Sequence, residues 1–115
     1  MNLIDAFEAG RVSGFGMPDR VIRSAMSRVF LFSDRAVKVY GYHVGVNGDL
    51  GDMNFRRAFY EEDFFWNHAA SPEVYGELTG VRWGADEFQH APHEDAQDFY
   101  ISISPYAVPH SSCYA

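Results

Sequence analysis

The stretch Val29-Phe30-Leu31-Phe32-Ser33-Asp34-Arg35-Ala36-Val37-Lys38-Val39-Tyr40 decides the fold. Two runs of β-branched and aromatic residues flank a short polar break, the pattern of a β-hairpin. Strand alternation predicts Ala36, Lys38 and Tyr40 on one face of the second run, with Val37 and Val39 on the other. Lys38 is the only lysine in the chain; every other basic side chain is arginine. A compact ammonium in mid-strand points to a task that a planar guanidinium would not serve. The alternative is a solvent-facing lysine on an edge strand.

Upstream of the hairpin, residues 3–9 followed by Gly10 predict a short amphipathic helix with Leu3, Ile4 and Phe7 as its apolar stripe. Residues 13–18 form a loop by their glycine and proline content. Gly14 and Gly16 lack the strand-glycine-helix setting of a phosphate-cradling loop, so a plain turn is expected there. Residues 21–24 predict a first strand.

Downstream, residues 41–52 carry four glycines and Asn47-Gly48, which predicts a flexible connector. Asn54 or Asp52 then caps a helix over residues 55–70. Its expected apolar side is Phe55, Ala58, Phe59, Phe65, Trp66 and Ala69. Glu62 falls on that stripe, flanked by Glu61 and Asp63. A carboxylate on the buried side of a helix needs a cation, and the available lysine is Lys38. The alternative puts Glu62 at the rim, facing water. Ser71-Pro72 ends the helix, residues 74–83 predict a strand, and residues 84–97 read as an acidic, histidine-bearing loop. Residues 98–104 alternate as a last strand, which Pro105 and Pro109 stop before an irregular tail.

With 115 residues the chain is expected to be one domain, 1–115, burying about two-thirds of its unfolded surface. The lone Cys113 rules out an internal disulfide and fits a reducing compartment. No signal-peptide pattern and no apolar run of roughly 18 residues is present, so a cytoplasmic protein without a membrane partner is expected. The net charge of −7 is unevenly placed. Residues 1–57 carry eight bases and six acids, whereas residues 58–115 carry ten acids and one base, Arg82. That distribution lacks the basic footprint of direct nucleic-acid binding. It suits docking on a basic surface, or else serves solubility alone.

Few residues suggest site chemistry of their own. His90, His93, Glu94 and Asp95 crowd six positions, but no cysteine or third histidine is near in sequence, so a solvated loop is expected in place of a metal site. His68 reads as structural. Cys113, Ser111 and Ser112 have no neighbouring base that would make a nucleophile.

The order of elements resembles the small, N-terminal lobe of a kinase fold. It is most similar to the N-terminal part of bacterial aminoglycoside-phosphotransferase-like proteins in which a kinase-like domain precedes a P-loop domain. The matching residues are Ser27, Val29-Phe30-Leu31, Arg35-Ala36-Val37-Lys38, Arg56-Arg57, Glu61-Glu62-Asp63, Asn67 and Ser71-Pro72-Glu73-Val74-Tyr75-Gly76. The resemblance covers roughly residues 1–80 and fades after Tyr75. It implies that Lys38 holds nucleotide phosphates, that Glu62 is its helix partner, and that Ala36 lines an adenine pocket. Where the family has E-T-H, this chain has Arg23-Ser24-Ala25-Met26. Phosphoryl transfer also needs catalytic-loop and metal-binding residues of a larger lobe, and Asp98-Phe99-Tyr100 only echoes D-F-G inside a strand. No catalytic residue and no cofactor are therefore expected.

The expected fold is α+β: a twisted antiparallel sheet of about five strands, one main helix and a short N-terminal helix. The expected function is that of a non-catalytic, acidic interaction protein. It would dock on the basic surface of a protein or ribonucleoprotein, as phage-encoded inhibitors of nucleic-acid machines do, anti-CRISPR proteins among them. Asp86, Glu87, Glu94, Asp95 and Asp98 are the expected contacts, with Trp83 and Tyr100 as aromatic anchors. The alternative is a nucleotide-binding remnant, or half of a split phosphotransferase, using Ala36, Lys38 and Glu62.

Overall fold

In the computed structural model, β1 (Arg20–Arg23), β2 (Ser27–Leu31) and β3 (Ala36–Tyr40) form an antiparallel meander, with Val29 opposite Lys38. The structure describes residues 1–42, 44–45 and 48–104. Asn47 and the tail from Pro105, with Ser111, Ser112 and Cys113, lie outside the described residues.

Ahead of the meander, α1 (Leu3–Glu8) is capped by Asn2, whose side chain accepts the Asp5 N–H at 2.9 Å. Gly10 follows with φ +72°, a left-handed stop that a side chain would disfavour. After β3 the connector holds a small ribbon, β4 (Val44–Gly45) paired with β5 (Gly48–Asp49), where a featureless linker was expected. Asp52 then caps α2 (Met53–Ala70) by accepting the Phe55 N–H at 3.0 Å.

The chain continues through β6 (Tyr75–Gly84), β7 (Glu87–Ala91), a short 3-10 turn (His93–Asp95) and β8 (Asp98–Ile103). β7 and the 3-10 turn replace the expected open loop. Ala85 and Asp86 both take positive φ, 55° and 63°, which makes a two-residue hairpin turn between Gly84 and Glu87. Such turns are usually marked by Asn-Gly or Asp-Gly, so Ala-Asp hides this one.

The sheet has six strands in the order β1-β2-β3-β8-β6-β7, one more than expected. β8 lies between β3 and β6, so Lys38 is on a central strand and not an edge. The alternation of β3 is as read. Val37 and Val39 face a core with Phe30, Val81, Phe88, Tyr100 and the α1 residues Leu3, Ala6 and Phe7. Tyr40 faces the opposite core, where α2 sets Tyr60 against Leu78, Phe99 and Ile101. Phe7 is fully buried and holds its core together through ring contacts with Phe15, Phe30 and Tyr100 at 5.0–5.6 Å.

The flanks of the sheet are dressed differently. Residues 11–13 run along β7: Phe88 N–H donates to Arg11 O at 2.9 Å, and Ser13 N–H donates to Phe88 O at 2.8 Å. On the far side, four-residue β1 begins and ends in arginine, Arg20 and Arg23.

Candidate functional site

α2 is rotated relative to its expected apolar side. The residues turned to the sheet are Met53, Arg56, Tyr60, Phe64 and His68 together with Phe59 of the expected side, which packs on Tyr40 at 5.0 Å, while Ala58 and Ala69 are exposed and Phe65 and Trp66 are 62% and 65% exposed. The rotation follows from two polar side chains that find partners inside. Arg56 is 2% exposed. Its Nε donates to Asp98 Oδ1 at 2.7 Å, and its Nη1 and Nη2 donate to the carbonyls of Gly41 at 2.7 Å and Tyr40 at 2.6 Å. The guanidinium also lies 4.0 Å over the Tyr42 ring.

Asp98 is equally well satisfied. Besides Arg56 it accepts the Tyr42 hydroxyl at 2.5 Å and the Phe99 N–H at 2.8 Å. The Tyr42 oxygen in turn accepts the Leu3 N–H at 3.1 Å, which joins α1 to the same node. Tyr60 is fully buried, and its hydroxyl accepts the Tyr40 N–H at 2.8 Å. Tyr60→Phe would strand that amide at a site closed to water. The expected loss is about 1–3 kcal/mol, read as a lower urea midpoint with an unchanged slope.

Lys38 and Glu62 form no ion pair. The ion pairs among the described residues are Arg23–Glu8, Arg35–Asp34 and Arg56–Asp98. Helix geometry gives the reason. Glu62 is two residues, about 200°, around from buried Tyr60, and it is exposed. Asp63 lies about 60° from Tyr60, and its carboxylate accepts the Tyr40 hydroxyl. Lys38 Nζ sits 4.9 Å from the Tyr40 ring centre. Burial lowers the Lys38 pKa, and the charge of Asp63 offsets part of that effect. The helix acid beside the unique lysine is thus Asp63. Ala36 is fully buried beside Ile22, with Val29, Leu31 and Ile103 packed against them.

The expected contact residues divide three ways. Asp86, Glu94 and Asp95 are exposed, and Glu87 and Trp83 are half-buried, with Trp83 edge-on to Phe88 at 5.2 Å. Asp98 and Tyr100 are corrected: both are buried, at 5% and 4% exposure, and neither presents a surface contact. Asp98 is held by Arg56, and the Tyr100 ring packs against Phe7 and Phe15. His90 and His93 are engaged separately. His90 Nε2 is 3.0 Å from the Tyr100 hydroxyl and His93 Nε2 is 3.0 Å from Leu78 O. Among the described residues, no group of three or more His, Cys, Asp or Glu could hold a metal ion.

Sequence reasoning missed a second acidic group. Glu61 and Glu62 are exposed on α2, which also bears the uncovered Phe65 and Trp66, and Glu73 is exposed just beyond its end. Their signal was present as charge, but an aromatic run on a helix reads as core unless its rotation is known. Most of the cations are placed elsewhere, although exposed Arg82 is on β6, half-buried Arg57 is on α2, and Arg11 Nη1 donates to the Asp86 carbonyl at 3.2 Å. Arg56 is buried, and Arg20, Arg23 and Arg28 lie on β1 and β2, at the opposite flank of the sheet from β6 and β7. Comparison with protein-family models, with curated proteins and with solved structures found no match. Among the described residues, no helix is long and apolar enough to cross a membrane.

Proposed function

We propose that this chain is an interaction protein that acts by docking its acidic half on a basic, nucleic-acid-binding surface of a protein or ribonucleoprotein. One observation carries the reading. The exposed acids Asp86, Glu94 and Asp95, with Glu61, Glu62 and Glu77, stand on the β6–β7 and α2 side, and none of them is in an ion pair among the described residues. Carboxylates left without internal cations keep their field for a partner, where complementarity speeds and orients association. The sheet crossed by one main helix, with Lys38 on the helix side, accords with a kinase-small-lobe scaffold put to this use. Less supports the nucleotide-binding alternative, because Ala36 is enclosed by apolar side chains and Glu62 faces water.

The test starts from a pull-down out of nuclease-treated cell lysate, which identifies a protein partner that does not depend on nucleic acid. Against that partner, the triple variant Asp86→Asn, Glu94→Gln, Asp95→Asn is expected to bind about tenfold more weakly at low salt, since each rim charge contributes a few tenths to one kcal/mol. Its affinity should also respond less steeply to added salt. Unchanged affinity and an unchanged salt slope would remove the proposal.

A further inference from the structure

The N-terminal segment covers only one end of the sheet face that points away from α2. At the other end lies an open hollow of about 680 Å³, within the range of small-molecule sites. The register of β6 with β8 sets Glu77 opposite Ser102 and Thr79 opposite Tyr100, so these four residues share its floor. The Tyr100 hydroxyl is fixed by His90, whose Nε2 is 3.0 Å away. The Arg35 guanidinium forms one wall. It stacks 3.8 Å over the Phe15 ring, and its Nη2 donates to the Gly14 carbonyl. Its ion-pair partner is Asp34, exposed and no nearer than 3.9 Å, while Glu77 is in no ion pair among the described residues. A guanidinium and a carboxylate thus share one hollow without closing on each other. Both act on the hydroxyl between them: burial raises the Tyr100 pKa, Thr79 and Arg35 oppose that rise, and Glu77 adds to it.

We propose that this hollow binds a dipeptide-sized zwitterion, its carboxylate on Arg35 and its ammonium on Glu77. A ligand of one sign would meet a like charge on one side of the site, whereas a zwitterion satisfies both. The span sets the size. Arg35, just ahead of β3, and Glu77, on β6, stand on either side of β8, at least about 10 Å apart at the backbone. Side chains reaching inward from both leave a gap longer than the charge separation of one α-amino acid and near that of a dipeptide. The half-buried Thr79 and Ser102 lie between the two ends. Each hydroxyl can donate or accept, which suits the N–H and C=O of a single peptide group. The stacked Arg35 fork is already held in place, so little ordering is needed to seat the carboxylate. Asp86, Glu94 and Asp95 are not at the hollow, so the site is independent of docking by the acidic half.

The experiment follows amide NMR spectra of the full chain during titration with alanyl-alanine at neutral pH. Alanyl-alanine is expected to shift the amides of Thr79, Tyr100 and Ser102. N-acetylation removes its ammonium and C-terminal amidation its carboxylate, and each should weaken binding about tenfold. Glu77→Gln, at an exposed position, should weaken alanyl-alanine by a similar factor yet leave the acetylated form unchanged, since that form has already lost the group Glu77 holds. Arg35→Gln should do the same for the amidated form. If the acetylated form binds as tightly as the parent, the hollow is an anion site on Arg35 and the zwitterion is overturned. Equal binding of the amidated form overturns it likewise, in favour of a cation site on Glu77. If none of the three amides moves at millimolar dipeptide, the hollow is no such site, while docking by the acidic half stands.

Discussion

Asp98→Ala is expected to cost about 3–5 kcal/mol, a large share of the roughly 5–15 kcal/mol that holds a domain folded. Removing the carboxylate leaves the Arg56 guanidinium at 2% exposure with carbonyl partners but no counter-charge. It also strands the Tyr42 hydroxyl and the Phe99 N–H, which both donate to Asp98. Arg56→Met should cost a similar amount, because it leaves a buried carboxylate without its cation. The double variant Arg56→Met with Asp98→Leu removes both charges and should be less destabilised than the sum of the two singles. It should not recover fully, since the carbonyls of Tyr40 and Gly41 lose their donors. Urea midpoints for the two singles and the double close the cycle. A loss below about 1 kcal/mol for Asp98→Ala would show that the pair does not hold the helix to the sheet.

The second large effect is alkaline unfolding. Burial, reinforced by the charge of Asp63 for Tyr40 and Asp98 for Tyr42, raises the pKa of both phenols well above the ordinary 10.0. Burial raises Tyr60 as well, against the opposing pull of Arg56. A folded pKa above the unfolded value means that the native state keeps protons which the unfolded chain releases. The stabilisation is therefore complete below pH 10 and is lost as pH climbs past it. Three such phenols withdraw about 4 kcal/mol per pH unit in that range. Lys38 acts in the opposite sense: its pKa is lowered from 10.5, so its contribution improves with rising pH just below that value. One ammonium does not offset three phenols. Phenolate absorbance and circular dichroism, followed together, should show these tyrosines ionising only as the fold is lost. Ordinary titration near pH 10 with the fold intact would contradict the buried placement.

What was legible in the sequence was whatever local chemistry sets. The hairpin of β2 and β3, the glycine stop of α1, the start of α2 (with the cap left between Asn54 and Asp52) and the alternation of β8 depend on neighbours within a few residues. The rest depends on partners far along the chain. Arg56 reads as surface until Asp98, 42 residues away, turns it inward, and that turn rotates α2 so that Phe65 and Trp66 are left outside. The same rotation replaces Glu62 by Asp63 beside Lys38. β7 was hidden because Ala85 occupies a backbone conformation usually given to glycine or asparagine. Of the candidate contacts, the charges of Asp86, Glu94 and Asp95 were readable directly. The burial of Asp98 and Tyr100 was not, because an acid in an acidic stretch and an aromatic in a strand look the same in sequence whichever way they face.

The two flanks of the sheet bear on how the protein behaves when crowded. An open sheet invites lateral growth wherever a long, bare row of amides and carbonyls meets solvent. On β7 the row is interrupted by residues 11–13, which already occupy the amide and carbonyl of Phe88. On β1 it is only four residues long, and arginines at both ends place like charges where a second molecule would align. Among the described residues, neither side offers a long bare edge for fibril-like stacking, so strand-to-strand growth of the sheet is disfavoured.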